Sequence, residues 1–269
     1  MDPPNPKVSD MKVYYEADAD LGIIQSKKVA VIGYGSQGHA HALNLRESGV
    51  KDLVVGLQPN SASKPKAEQE GLKVVTPTEA AKWADVMMIL TPDEKQAVMY
   101  ANEIEPHTRK GQHLMFGHGF NIHYNLIRPR ADMDVSLSAP KGPGHTLRNQ
   151  YQQGRGLPGL IAIHQDASGV AQAVALSYSK AIGNTRAGVI ETEMHERWTS
   201  TLTAGALAEH ERQHLLGFDI VLEALSPVAD LMLQNFCRIL HHFGHIGRRR
   251  LQIDVLTGST QRRIGLFPP

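Results

Sequence analysis

A doubly wound parallel α/β sheet followed by a smaller all-helical domain is the fold class this sequence predicts. Three observations carry that expectation. An apolar run over 28–32 feeds Gly33-Tyr34-Gly35-Ser36-Gln37-Gly38 and then an apolar helical stretch. Short, nearly continuous apolar runs alternate with helical segments as far as residue 182, the pattern of strands covered on both faces. Composition then changes near Thr192: all 13 lysines fall at or before Lys180, whereas 193–269 holds 8 arginines, 6 histidines and no lysine.

The elements follow in order. Residues 1–10 are Pro-rich, lack an apolar stretch and do not resemble a signal peptide. They read as a disordered lead-in, with Met11 an alternative start. Strands are expected at 29–32, 53–56, 73–75, 86–90, 113–116, 135–139 and 160–164. Helices are expected at 36–47, 61–70, 78–83, 95–102 and 168–182. This gives a first domain over 11–184. A helical domain is expected over 185–246, with one candidate helix at 204–225, interrupted by Gly217. A second spans 228–243, where Ser226 and Pro227 suit the N-cap and first turn and Gly244 suits the end. Residues 247–269 show little periodicity and end in Pro-Pro, so they read as a mobile tail. Arg248, Arg249 and Arg250 read there as a solvated run.

Whole-chain quantities narrow the function classes. A chain of 269 residues is long enough to bury a substantial core. Charged residues make up 20% and the formal net charge is +1, so no bulk field points to nucleic acid or a membrane surface. No apolar run is long enough to span a bilayer. The one cysteine, Cys237, rules out an internal disulfide and agrees with a reducing, cytoplasmic setting.

The glycine turn carries the first chemistry. Gly33 permits the tight turn, Gly35 lets backbone approach a pyrophosphate, and Gly38 lets helix pack against strand. The helix start then offers unpaired N–H groups to the anion. Selectivity for NAD needs an acid at the end of the second strand. Here that strand ends in Gly56-Leu57-Gln58, and the loop beyond offers Ser61, Ser63 and Lys64. Hydroxyls and an ammonium suit a 2′-phosphate, so NADP(H) is the expected cofactor. The alternative role for Ser61 is to cap the next helix.

Over 11–192 the chain resembles ketol-acid reductoisomerase, of the short class I type. The resemblance rests on GYGSQGHAHA at 33–42, GHGFNIH at 117–123, APKGPGH at 139–145, IAIHQDASG at 161–169 and TRAGVIET at 185–192. It implies alkyl migration in a 2-aceto-2-hydroxy acid followed by NADPH reduction, in branched-chain amino-acid biosynthesis. It also implies magnesium and a homo-oligomer whose contacts come from the helical region. His118 and Lys141 are the implied catalytic residues, one for proton transfer or water ordering and one to steady anionic oxygens. The expected cofactor-binding set is Gly33, Tyr34, Gly35, Ser36, Gln37, Gly38, Gln58, Ser61, Ser63, Leu90, Pro92, Asp93 and Gly144. Asp93 is expected to cap the following helix at the cofactor rim, and His39 and His41 to support or pack the helix.

The chain departs from that family after Thr192. The family's metal-binding Asp-Leu-Phe-Gly-Glu stretch is absent, and counting from an echo at 217–224 puts Trp198, Leu202, Leu233 and Cys237 where its carboxylates belong. None of these is a hard-cation ligand of the expected kind. The metal ligands are therefore unknown. Asp219 with Glu223, the group Glu193, His195 and Glu196, and the cluster His241, His242 and His245 are weaker alternatives. Divergence toward a new reductase site, a substituted or shifted reading, and a cofactor-binding relic all fit this change. The leading expectation is an NADP-dependent, reductoisomerase-like oxidoreductase acting on a small 2-keto or 2-aceto-2-hydroxy acid. The alternatives are a 2-keto acid reductase without isomerase activity and a non-catalytic NADP-binding or assembly protein.

Overall fold

The structure, a computed structural model, describes residues 12–192 together with the backbone of 220–223, 252–257 and 260–265. In chain order its first unit contains β1 (Val13–Tyr14), α1 (Leu21–Gln25), β2 (Val29–Ile32), α2 (Ser36–Glu47), β3 (Leu53–Gly56), α3 (Lys64–Gln69), β4 (Lys73–Val75) and α4 (Pro77–Trp83). It continues with β5 (Val86–Ile89), α5 (Asp93–Met99), β6 (His113–Phe116), α6 (Phe120–His123) and β7 (Asp134–Pro140). It closes with α7 (Gly144–Gln152), β8 (Gly159–Gln165), α8 (Ala171–Ala181) and β9 (Val189–Glu191).

The nine strands form one sheet in the order β1-β9-β8-β7-β6-β5-β2-β3-β4. From β4 to β7 every pairing is parallel. Strand order reverses at β2, which pairs with β3 on one side and β5 on the other. That switch point opens the crevice where a doubly wound sheet binds ligand.

Alternation along β2 divides the core. Val29 and Val31 face one apolar layer with α1, α2 and α8, while Ala30 and Ile32 face another with α4, Tyr100 and Ile104. Burial on both sides explains why these strands read as continuous apolar runs.

The doubly wound part is parallel as expected, and antiparallel pairings join it toward one edge, so the sheet as a whole is mixed. β8 runs antiparallel to β7, with Gly159 opposite Pro140, and β1 runs antiparallel to β9. The cause is α7, which lies along α2 instead of making a right-handed crossover to a parallel neighbour. Arg148 of α7 pairs with Glu47 and donates to Asn44 Oδ1 at 2.8 Å, and Tyr151 meets Ser48 Oγ at 2.7 Å. With α7 outside it, α2 is buried on most sides, including His41 and Asn44. The sheet also continues past the expected boundary at 184, because β9 pairs in parallel with β8.

The second unit corrects two expectations. Backbone 220–223 lies in the proposed helix 204–225, yet it forms a strand, β10 (Ile220–Glu223). β-branched Ile220 and Val221 favour that state. The supposed mobile tail contains β11 (Gln252–Thr257), parallel to β10, and β12 (Thr260–Gly265), antiparallel to β11. Thr257 pairs with Thr260 across Gly258-Ser259, a two-residue hairpin signal that the period-2 alternation of Ile253 and Val255 supports. The proposed helix 228–243, Arg248–Arg250 and Cys237 lie outside the described residues. Among the described residues no helix is long and apolar enough to cross a membrane.

Candidate active site

The carboxyl ends of β2, β5 and β6 meet at the switch point. Gly33 leaves β2 at φ +104°, and a Cβ there would stand 2.9 Å from the Leu90 carbonyl and the Thr91 nitrogen. The turn is thus pressed against the end of β5, as only glycine allows. Gly38 packs so closely on the turn that a Cβ would lie 2.1 Å from the Gly33 carbonyl oxygen. Gly35 caps α2 without a side-chain hydrogen bond, and nothing lies within 4 Å of where its Cβ would point.

An open front and uncapped amides fit a pyrophosphate. Two buried polar atoms at the site, Thr91 Oγ1 and Gln37 Oε1, lack a protein partner. Such atoms are costly unless a ligand or water completes them, so the residues present fit a dinucleotide.

Tyr34 turns its side chain away from the crevice. Its ring is buried in the core and its hydroxyl donates to Glu70, leaving only its backbone toward the turn. Burial, then Glu70, pushes the Tyr34 hydroxyl well above its ordinary range. Gly144 and Gln37 lie close together. A Cβ on Gly144 would stand 2.1 Å from the Ser36 carbonyl oxygen, and Gln37 Nε2 donates to the Gly142 carbonyl at 2.8 Å. The Lys141–Gly144 loop therefore lies on the first turn of α2, where the Lys141 amide donates to the Pro158 carbonyl at 2.8 Å.

At the far side of the turn, Ser61 Oγ accepts from the Ser63 amide at 3.3 Å and Ser63 takes the N-cap position of α3. Lys64 pairs with Glu68 at 3.9 Å, and Gln58 Nε2 donates to Glu103 Oε1 at 2.6 Å.

His118 follows β6 in the Gly117–Gly119 turn, where a Cβ on Gly117 would strike Leu90. Its Nδ1 stands 2.5 Å from Asp93 Oδ2. The alignment falls short of a hydrogen bond, but the distance alone makes the two a pair. Asp93 occupies the first turn of α5, after Pro92 at the N-cap, so it does not cap the helix as expected. Gln96 Nε2 donates to Asp93 Oδ1 at 3.1 Å and to the Thr91 carbonyl at 2.7 Å. Asn121 Nδ2 reaches the Asp93 carbonyl and Gln96 Oε1, both at 3.0 Å.

This network holds α5, α6 and His118 as one body. Sequence reasoning missed Thr91, Gln96, Asn121 and Glu70. Only the flanking motifs hinted at Asn121, and a lone Glu after a short helix carries no signal.

No group of three or more His, Cys, Asp or Glu that could hold a metal exists among the described residues. The described residues alone therefore supply no ligand set for the implied magnesium pair. Glu193, His195, Glu196, Asp219, His241, His242 and His245 lie outside those residues. Glu223 lies in the strand β10.

Sheet order, switch point and glycine turn define a nicotinamide-dinucleotide oxidoreductase. The NADPH-binding domain of acetohydroxy acid isomeroreductase matches residues 23–188. An NADH-preferring ketol-acid reductoisomerase from an uncultured archean superimposes with a TM-score of 0.70 at 34% identity, over 87% of this chain and 67% of its own. The chain belongs to the ketol-acid reductoisomerase family.

Two more distant structures share the fold alone. One is a semialdehyde dehydrogenase NAD-binding protein from Cupriavidus necator, with TM-score 0.54 and 18% identity over 83% of this chain and 86% of that one. The other is a pyrroline-5-carboxylate reductase from Coxiella burnetii, with TM-score 0.51 and 13% identity over 83% and 82%.

Proposed function

We propose that this chain reduces a small 2-keto or 2-aceto-2-hydroxy acid with NADPH at the crevice between β2, β5 and β6. The observation that carries the reading is the His118–Asp93 pair beside the glycine turn, at 2.5 Å. When bound, the reduced nicotinamide supplies a hydride. Gly33, Gly35 and the first amides of α2 hold the pyrophosphate; Ser61, Ser63 and Lys64 receive the 2′-phosphate.

Reduction of a ketone leaves an alkoxide that needs one proton. His118 in its imidazolium form gives its Nε2 proton to that oxygen and is left neutral, with the remaining Nδ1 proton turned toward Asp93. Lys141 steadies the substrate's carboxylate as a point charge. Alkyl migration needs Lewis-acid help that the described residues do not supply, so no step of it is assigned to them. Ser61, Ser63 and the missing acid after β3 support NADPH, while the archaeal relative named above prefers NADH.

The test follows loss of reduced-nicotinamide absorbance with the full-length protein. Each cofactor is paired with 2-acetolactate, with and without magnesium, and with a simple 2-keto acid. Turnover of the 2-keto acid with NADPH, lost in His118→Ala, is the expected result. A folded, NADPH-binding protein with no turnover on either substrate would sink the reductase reading in favour of a binding protein. Magnesium-dependent turnover of 2-acetolactate would extend the activity to the family's full reaction.

A further inference from the structure

Glu70 stands outside every motif, yet its carboxylate touches both the glycine turn and the first turn of α2. Its Oε2 accepts from the Tyr34 hydroxyl, and its Oε1 lies 3.1 Å from His39 Nε2. Tyr34 sits inside the glycine turn and His39 in the first turn of α2, their rings edge to face at 5.6 Å. The two partners thus flank the backbone that faces the pyrophosphate. The Glu70 carbonyl also accepts from Arg46 Nη1, near the other end of α2.

Glu70 is the C-cap of α3, and Ser63 is its N-cap. This helix is a rod of about 9 Å with the Ser61–Ser63 loop at one end and the clamped carboxylate at the other. Ala67 is its one buried residue, so packing alone holds it weakly.

We infer that Glu70 is a positioning residue that fixes the 57–63 loop, and with it the adenosine-ribose end of the site, relative to the glycine turn. The inference rests on reading the turn and that loop as two ends of one dinucleotide site. A dinucleotide must engage both at once, and a preset spacing removes the cost of ordering the loop on binding. NADPH places a phosphate on the loop and NADH does not, so loss of the clamp weakens NADPH more.

The experiment titrates full-length wild type, Glu70→Ala, Glu70→Gln and Tyr34→Phe with NADPH and with NADH by fluorescence, with melting temperature as the fold control. Glu70→Ala is expected to raise the NADPH Kd about tenfold and the NADH Kd less than about twofold. Tyr34→Phe should shift the ratio less, in the same direction. Glu70→Gln should restore most of it, because its amide still accepts from Tyr34 and can donate to the other tautomer of His39. Equal rises in both Kd values, or an unmoved ratio in Glu70→Ala and Tyr34→Phe alike, would overturn the clamp alone. Wild type that binds neither cofactor would overturn the proposed function and the clamp with it.

Discussion

At the scale of single residues, the site depends on pairs whose members come from different strands. Asp93 enters α5 after β5, and His118 leaves β6; parallel pairing of those strands brings them to 2.5 Å. Asp93→Asn keeps the shape and removes the charge that favours a proton on Nδ1. It is expected to lower kcat and kcat/KM together by about 10- to 100-fold while leaving the NADPH Kd unchanged. Stopped-flow reduction beside equilibrium titration checks this; a rise in Kd with constant kcat would place Asp93 against the cofactor instead. The glycine turn was readable from its local chemistry, whereas His118 was singled out only by the resemblance of the motif that holds it. Asp93 was readable only as a helix-start residue, since its partner lies on another strand. The position of Tyr34 in the motif does not reveal that its ring turns into the core.

At the scale of elements, the packing of α7 on α2 governs the turn. The closest contact is Gly144 on the Ser36 carbonyl, so Gly144→Ala forces two helices apart. The expected cost is about 1–3 kcal/mol in stability. Because the displaced backbone is the start of α2, NADPH binding should weaken by about tenfold or more. Gly154→Ala is the control: φ there is +71°, but nothing lies within 4 Å. It should cost about 1 kcal/mol from backbone strain and leave cofactor affinity intact. Urea unfolding and cofactor titration of both variants separate the two effects, and equal affinities would show that α7 does not brace the turn.

The expected helix 36–47 matches α2 residue for residue, because an apolar stretch bounded by a glycine turn and Ser48 has one reading. α1, α6, α7, β1 and β9 were not foreseen. Four of these five are short, and the nine residues of α7 follow a Pro-Gly-rich loop that reads as irregular chain.

At the scale of the whole molecule, buried histidines couple the fold to pH. Burial lowers His41 to about 3 and His113 to about 4, with the charge of Asp134 opposing part of the latter shift. His41 Nδ1 meets the Tyr178 hydroxyl at 3.0 Å, and His113 Nε2 meets Ser136 Oγ at 2.7 Å. An unfolded histidine titrates near about 6.5, so below that pH the unfolded chain takes up protons that the folded core refuses. Stability is thus full above about pH 6.5 and declines as pH falls toward the folded values. Between about pH 6.5 and 5 each histidine should cost about 2 kcal/mol. Urea midpoints for the 12–192 signal should drop across that range, and a flat profile would mean that these imidazoles reach solvent.

Sequence by itself determined the parallel part of the sheet, the long helix after the glycine turn and the dinucleotide chemistry. Those features are written in local terms: apolar runs that demand cover on both faces, and glycines where backbone must meet backbone or phosphate. Only tertiary structure decided that β8 runs antiparallel, that Tyr34 faces the core, that Asp93 lies against His118 and that Glu70, at the end of α3, reaches Tyr34 and His39. It also decided that 252–257 and 260–265 pair as strands. Each of these depends on which distant element lies alongside. Neighbour choice is set by the burial and hydrogen-bonding needs of the assembled chain, which no single stretch of residues contains.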